Sequence, residues 1–221
     1  MNAPPPYVTP TAPPPFEFHQ LSKSQQIHNL INEYELDSLF SENLDILSNF
    51  KIVLLIDDSG SMNTPILNSN YESRWDELKA VVKIVIKIAT IFDTNGIDIH
   101  FLNRQSYHNV YSLAGVENIL NDKPAGLTLL TKKLNNILNN YKTCSKKVLI
   151  VIATDGMPTN NYGKLDLANF TSKLKNKDHN KFYVSILACS DQLVDVGYLN
   201  KLDKTVPNVD TLDDYLSELK E

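Results

Sequence analysis

Oxygen-bearing side chains gather at three places in this chain, each beside an apolar stretch. Asp57, Asp58, Ser59 and Ser61 close the run KIVLLIDDSGSM, Thr128 ends PAGLT, and Asp155 ends IVIATD. Hydroxyls and carboxylates without thiol or imidazole suit a hard divalent cation such as Mg2+ or Mn2+. Asp57, Ser59, Ser61, Thr128 and Asp155 are therefore the candidate metal ligands. Two carboxylates balance the ion's charge, while neutral hydroxyls leave it short of electrons. Each residue alone could instead cap a helix entrance. Capping does not explain five suitable donors on one edge. Asp58 reads as a loop or supporting residue, and the five histidines (19, 28, 100, 108, 179) show no ligand spacing.

Something must carry these loops to one place. Residues 51–56 are aliphatic with no polar alternation, the pattern of a strand buried on both faces of a parallel sheet. Residues 148–153 repeat it, and 97–102, 107–112, 182–189 and 208–211 read as further strands. Helical patterns fall at 74–94, 116–120, after 124–128, at 165–175, at 193–202 and at 213–221. Alternation of this kind predicts an α/β fold with a doubly wound, mostly parallel central sheet and helices on both faces. In such sheets the carboxyl ends of the parallel strands share one edge, where ligands bind. The helix over 74–94 is apolar on nearly every side, with only Lys79, Lys83, Lys87 and Thr90 as a polar stripe. That is more than the roughly 100° a single sheet face needs to cover. A helical extension over 22–49, with Ile27, Leu30, Ile31 and Tyr34 on one stripe, is the expected second cover.

The 221 residues, 42% of them hydrophobic, suffice for one domain with appendages. A net charge of -5 argues against nucleic acid as a partner. Neither a signal-peptide pattern nor an apolar run long enough to span a bilayer occurs, so no membrane insertion and a cytoplasmic location are expected. Cys144 and Cys189 should lie at opposite sheet edges and stay unpaired. Residues 1–21 read as a proline-rich, disordered tail holding seven of the eleven prolines. Within it Pro4-Pro5-Pro6-Tyr7 resembles the PPxY ligand of WW domains, and Pro10, Thr11, Ala12 and Pro13 resemble the PTAP motif bound by ESCRT-I. Extended proline-rich segments lose little entropy on docking into aromatic grooves.

Taken together, Asp57-Asp58-Ser59-Gly60-Ser61, Gly126-Leu127-Thr128 and Thr154-Asp155-Gly156 resemble, in order and spacing, the metal-ion-dependent adhesion site of von Willebrand factor A (vWA) domains. The whole looks most like stand-alone intracellular members. The resemblance implies a Rossmann-like vWA domain over 50–221 that binds Mg2+ or Mn2+. Ser59, Ser61 and Thr128 would contact the metal through their hydroxyls, and Asp57 and Asp155 mainly through water. An Asp or Glu of a protein partner would complete the shell. Met62, Asn63, Leu127, Met157 and Pro158 are the candidate rim contacts. With the tail motifs, the expected function is a metal-dependent interaction module that serves as an adaptor for WW-containing ubiquitin ligases or ESCRT-I. The alternative is an Mg2+-dependent enzyme or phosphoacceptor using Asp57 and Asp155. Against it, position 59 is serine where a haloacid-dehalogenase-like phosphatase needs aspartate, and no GxSxG, P-loop or GxGxxG occurs.

Overall fold

The structure, a computed structural model, describes residues 21–34, 44–66, 71–93, 95–189 and 198–212. The proline-rich motifs at 4–13, the expected final helix at 213–221 and much of the segment expected as a helix at 193–202 lie outside them. The described helices are α1 (Lys23–Tyr34), α2 (Arg74–Phe92), α3 (Glu117–Asn121), α4 (Leu130–Tyr141), α5 (Leu167–Lys175) and α6 (Leu199–Thr205). The strands are β1 (Phe50–Ile56), β2 (Ile97–Phe101), β3 (Tyr107–Val110), β4 (Lys147–Thr154), β5 (Phe182–Ala188) and β6 (Val209–Leu212).

These strands form one six-stranded sheet in the order β3-β2-β1-β4-β5-β6. All neighbours are parallel except β2 and β3, which pair antiparallel. The short connection from Phe101 to Tyr107 leaves no room for a crossover helix, so β3 turns back as a hairpin edge. Elsewhere helices carry the chain between strands, giving the doubly wound α/β fold. Because β2 and β4 flank β1 on opposite sides, the strand order reverses at β1/β4, which is where open α/β sheets form a ligand crevice. The register levels the strand ends there: Ile56 pairs with both Phe101 and Ala153. One step further, Asp57 N donates to Ala153 O at 2.9 Å and Leu102 N to Ile56 O at 3.1 Å. The first loop residue after β1 thus lies level with the end of β4.

Both faces of the sheet are covered, which is why its central strands lack polar alternation. Val53, Leu55, Ile150, Ile152, Val184 and Ile186 pack with Leu134 and Ile137 of α4 and Phe170 of α5. Ile52, Leu54, Ile56, Ile99 and Phe101 pack with Leu78, Val82 and Ile86 of α2. Helix α2 starts at Ser73, whose side chain accepts from Asp76 N, and carries Asp76 and Glu77 in its first turn, where the helix dipole favours acids. Its outer side meets α1: Leu30 is buried, and Glu33 accepts from Lys87 at 2.5 Å. Lys23 lies over the Phe92 ring and pairs with Asp45 at 2.8 Å. Such exposed pairs contribute little; buried Leu30, with half-buried Ile27, Ile31 and Tyr34, supplies the apolar contact that holds α1 in place. Residues 45–49, expected within the helical extension over 22–49, form a 3-10 turn leading into β1. No helix among the described residues is long and apolar enough to cross a membrane.

Candidate metal centre

The loop after β1 is shaped by its own side chains and by one buried anchor. Asp57 Oδ1 accepts from Ser59 N at 2.9 Å, which turns the chain sharply out of the strand. A 3-10 turn over Gly60–Asn63 follows, and Met62 within it is fully buried in the core on the α2 side. That anchoring removes Met62 from the rim where the sequence placed it. The loop carrying Thr128 is latched on by two backbone hydrogen bonds, Gly60 N to Gly126 O at 3.1 Å and Ala125 N to Asp58 O at 2.8 Å. Asn63, exposed, adds Nδ2 bonds to Gly60 O and Pro124 O.

Asp58 supports this latch. Its Oδ1 accepts from Asn103 N at 2.8 Å, and Arg104 Nε lies 3.3 Å from its Oδ2. The Arg104 guanidinium in turn donates to the carbonyls of Ile119, Asp122 and Lys123 and so pins the approach to the Thr128 loop. Asn103 also bonds Leu127 through both its amide nitrogen and its oxygen. Gly126 has φ +108°, and a Cβ there would meet Asn103 Oδ1 at 2.3 Å, so only glycine allows the loop to close on Asn103. The sequence marked Asp58 as supporting; it gave no sign of Asn103 or Arg104, whose partners are far away along the chain.

Four of the candidate oxygens form a continuous chain. Thr128 Oγ1 lies 3.2 Å from Ser59 Oγ, Ser59 Oγ 3.0 Å from Ser61 Oγ, and Ser61 Oγ 2.9 Å from Asp155 Oδ1. An octahedral ion with bonds of about 2.1 Å needs adjacent ligands roughly 3.0 Å apart, the edge of its octahedron. The same spacing makes ordinary hydrogen bonds, so the oxygens satisfy one another without an ion. The donor set therefore fits a small divalent cation. Among the described residues no group of three or more His, Cys, Asp or Glu side chains could hold a metal. This cluster differs in drawing on three hydroxyls and two carboxylates.

Asp57 and Asp155 are both fully buried. Asp57 accepts from Ser59 N with one oxygen and from Thr154 Oγ1 with the other, at 2.5 Å. Burial, with the Asp155 carboxylate adding repulsion, pushes Asp57 up to about 7. The same two carboxylates, after burial itself, also raise Tyr198, whose hydroxyl donates to Gly156 O at 3.2 Å. Asp155 has a counter-ion that the sequence reading missed: buried Arg74 Nη1 lies 2.9 Å from its Oδ2. A signal existed, because a cation in the first turn of a helix opposes the helix dipole and asks for a reason. Its reason is an acid 81 positions away in the chain.

These loops stand at the switch point of this strand order. The chain has a vWA-like fold. No family model and no curated protein sequence matches it. Among solved structures, the PilB minor pilin from Streptococcus sanguinis superposes with a TM-score of 0.51 at 14% identity, over 75% of this chain and 57% of the pilin. A mutant of the same pilin gives 0.49 at 14% identity, over 74% and 56%. This chain thus spans a little over half the length of the structures it matches, and at such identity the likeness extends to the fold alone. Within the vWA-like fold, the structure brings Asp57, Ser59, Ser61, Thr128 and Asp155 together at one edge. Of the other rim candidates, Leu127 is exposed, Met157 half-buried and Pro158 buried.

Proposed function

We propose that this chain is a protein-interaction module that binds through a divalent cation held by Ser59, Ser61 and Thr128, with Asp57 and Asp155 behind them. The observation carrying this reading is the run of oxygens from Thr128 to Asp155 at octahedral-edge spacing, with Ser61 at its solvent side. When bound, the cation would supply a Lewis-acidic position that a partner's Asp or Glu completes. Arg74 neutralises part of the acid charge, so a dication keeps an excess of positive charge for an incoming carboxylate. A phosphoacceptor role is less well supported, because both oxygens of fully buried Asp57 are already engaged. The serines are also poor nucleophiles, since they bond to one another and to an Arg-paired carboxylate rather than to a free base.

Titration with Mn2+, followed by its electron paramagnetic resonance signal, tests the site directly. One ion per wild-type chain is expected, and Ser61→Ala should weaken it by about ten- to hundredfold, the loss typical of removing a metal-site partner. Equal affinity in both proteins would place any ion elsewhere. The adaptor role rests on the two proline-rich motifs alone. A peptide of residues 1–16 should bind a WW domain or the ESCRT-I ubiquitin-variant domain in fluorescence titration; binding to neither removes that role.

A further inference from the structure

Beside the candidate metal centre stands a small hairpin over residues 159–165. Thr159 pairs with Leu165 in an isolated antiparallel bridge, and Asn160 N donates to Lys164 O at 2.8 Å. Asn160 Oδ1 accepts from Tyr162 N at 2.9 Å and Lys164 N at 3.1 Å, closing the tip from inside. Gly163 takes φ +71°, and a Cβ there would sit 3.5 Å from Leu127 Cδ2, so the tip rests beside Leu127. The hairpin is also fastened to the centre: Thr159 N donates to the carbonyl of Thr128, itself a candidate ligand, at 2.8 Å.

What this hydrogen-bonded frame presents is apolar. Tyr162 is 87% exposed, Leu165 63% and Leu127 37%. Single exposed apolar residues are ordinary; three on two mutually bonded loops, next to a cluster of ligand-type oxygens, form a surface. Two exposed lysines flank it, Lys164 at the tip and Lys132, which lies 3.5 Å from Asn161 Oδ1, while the neighbouring Asp166 accepts from Asn169 Nδ2 at 2.6 Å. Apolar contact area, positive flanks and a cation that seeks a carboxylate complement one kind of occupant.

We propose that the hairpin over 159–165 and Leu127 form the second half of the docking surface, taking an aliphatic or aromatic side chain that flanks the partner's acidic residue. This inference rests on the proposed metal-dependent reading and deepens it: the partner is an acidic protein segment with an apolar neighbour beside its carboxylate. The exposed tyrosine acts as a rigid anchor, since its backbone is held by Asn160 and little conformational freedom is lost on binding.

The test uses the full chain and a display library of nine-residue peptides with Asp, Glu, Asn or Gln at the centre and all other positions random. Selection in Mg2+ by the wild type should enrich Asp or Glu over their amides at the centre and aliphatic or aromatic residues on one side of it, and selection in EDTA should enrich neither. The double variant Tyr162→Ser/Leu165→Ser should keep its Mn2+ affinity within about twofold, since neither side chain touches the oxygen cluster. It should bind the best selected peptide at least about tenfold more weakly, as for loss of an aromatic anchor. Mg2+-dependent enrichment of the acid with no apolar preference, or unchanged peptide affinity in the double variant, overturns this inference and leaves the metal-dependent reading standing. No Mg2+-dependent enrichment of acidic peptides by the wild type overturns both.

Discussion

Replacing Arg74 with methionine is expected to cost the cation-free protein about 3–5 kcal/mol, the penalty for removing one partner of a buried ion pair. Methionine keeps most of the apolar stem, so what is lost is mainly the charge facing Asp155. That carboxylate has no exposed surface and shares its surroundings with buried Asp57, so without the guanidinium two acids remain where water cannot reach them. The cost should be visible in urea unfolding with EDTA present. Asp155→Asn introduced alongside should recover much of it, because the uncompensated charge is gone. Mg2+ should narrow the gap between wild type and Arg74→Met, since without the guanidinium the site keeps more negative charge, and each tenfold tighter binding to the variant adds about 1.4 kcal/mol more to it than to the wild type. Equal stability of the two proteins in EDTA would mean that the buried Arg74–Asp155 pair contributes nothing to the fold.

The second large effect is on pH. Burial and the neighbouring Asp155 raise Asp57 from 3.8 to about 7, so in the cation-free fold it holds a proton across the mildly acidic range. A cation must displace that proton, and metal binding then becomes pH-dependent. Mn2+ affinity should fall about tenfold per pH unit below 7, roughly a hundredfold between pH 7 and 5, and level off above 7. The stability contribution runs opposite to ordinary acid denaturation. Between about pH 4 and 7 the folded state binds a proton that the unfolded state does not, so without metal this group's contribution declines as pH rises and is flat above 7. Asp76 and Asp98, which the fold holds below their usual range, act in the other direction. Subtracting the profile of Asp57→Asn from that of the wild type isolates the Asp57 slope. A flat difference would show that Asp57 is ionised without a cation.

Arg74 and Met62 mark where reading residues in chain order stops working. Both lie in or beside the loop that follows β1, and both are defined by what approaches from elsewhere. Met62 looked like a surface contact because it follows two serines and a glycine; its burial comes from the core that α2 closes over the turn. Arg74, a cation at a helix start that asks for a partner, meets Asp155 only because the strand order sets β4 beside β1. The exposed hairpin at 159–165 was equally hidden, since its residues carry turn signals and its significance lies in standing against Thr128 and Leu127.

By itself the sequence determined the local periods. Uninterrupted aliphatic runs specify strands buried on both faces, apolar residues at helical spacing specify the covering helices, and hydroxyls and acids at the ends of the strand runs specify the candidate chemistry. These properties depend on neighbours within a few residues, so they can be read one segment at a time. The tertiary structure decided which strands lie side by side, which acid meets which base, and that β3 turns back antiparallel. Long-range pairings depend on how the faces of distant elements fit, and a run such as Lys51–Asp57 does not encode its neighbours. Its fold placed it between β2 and β4, and that placement turns five scattered oxygen donors into one centre.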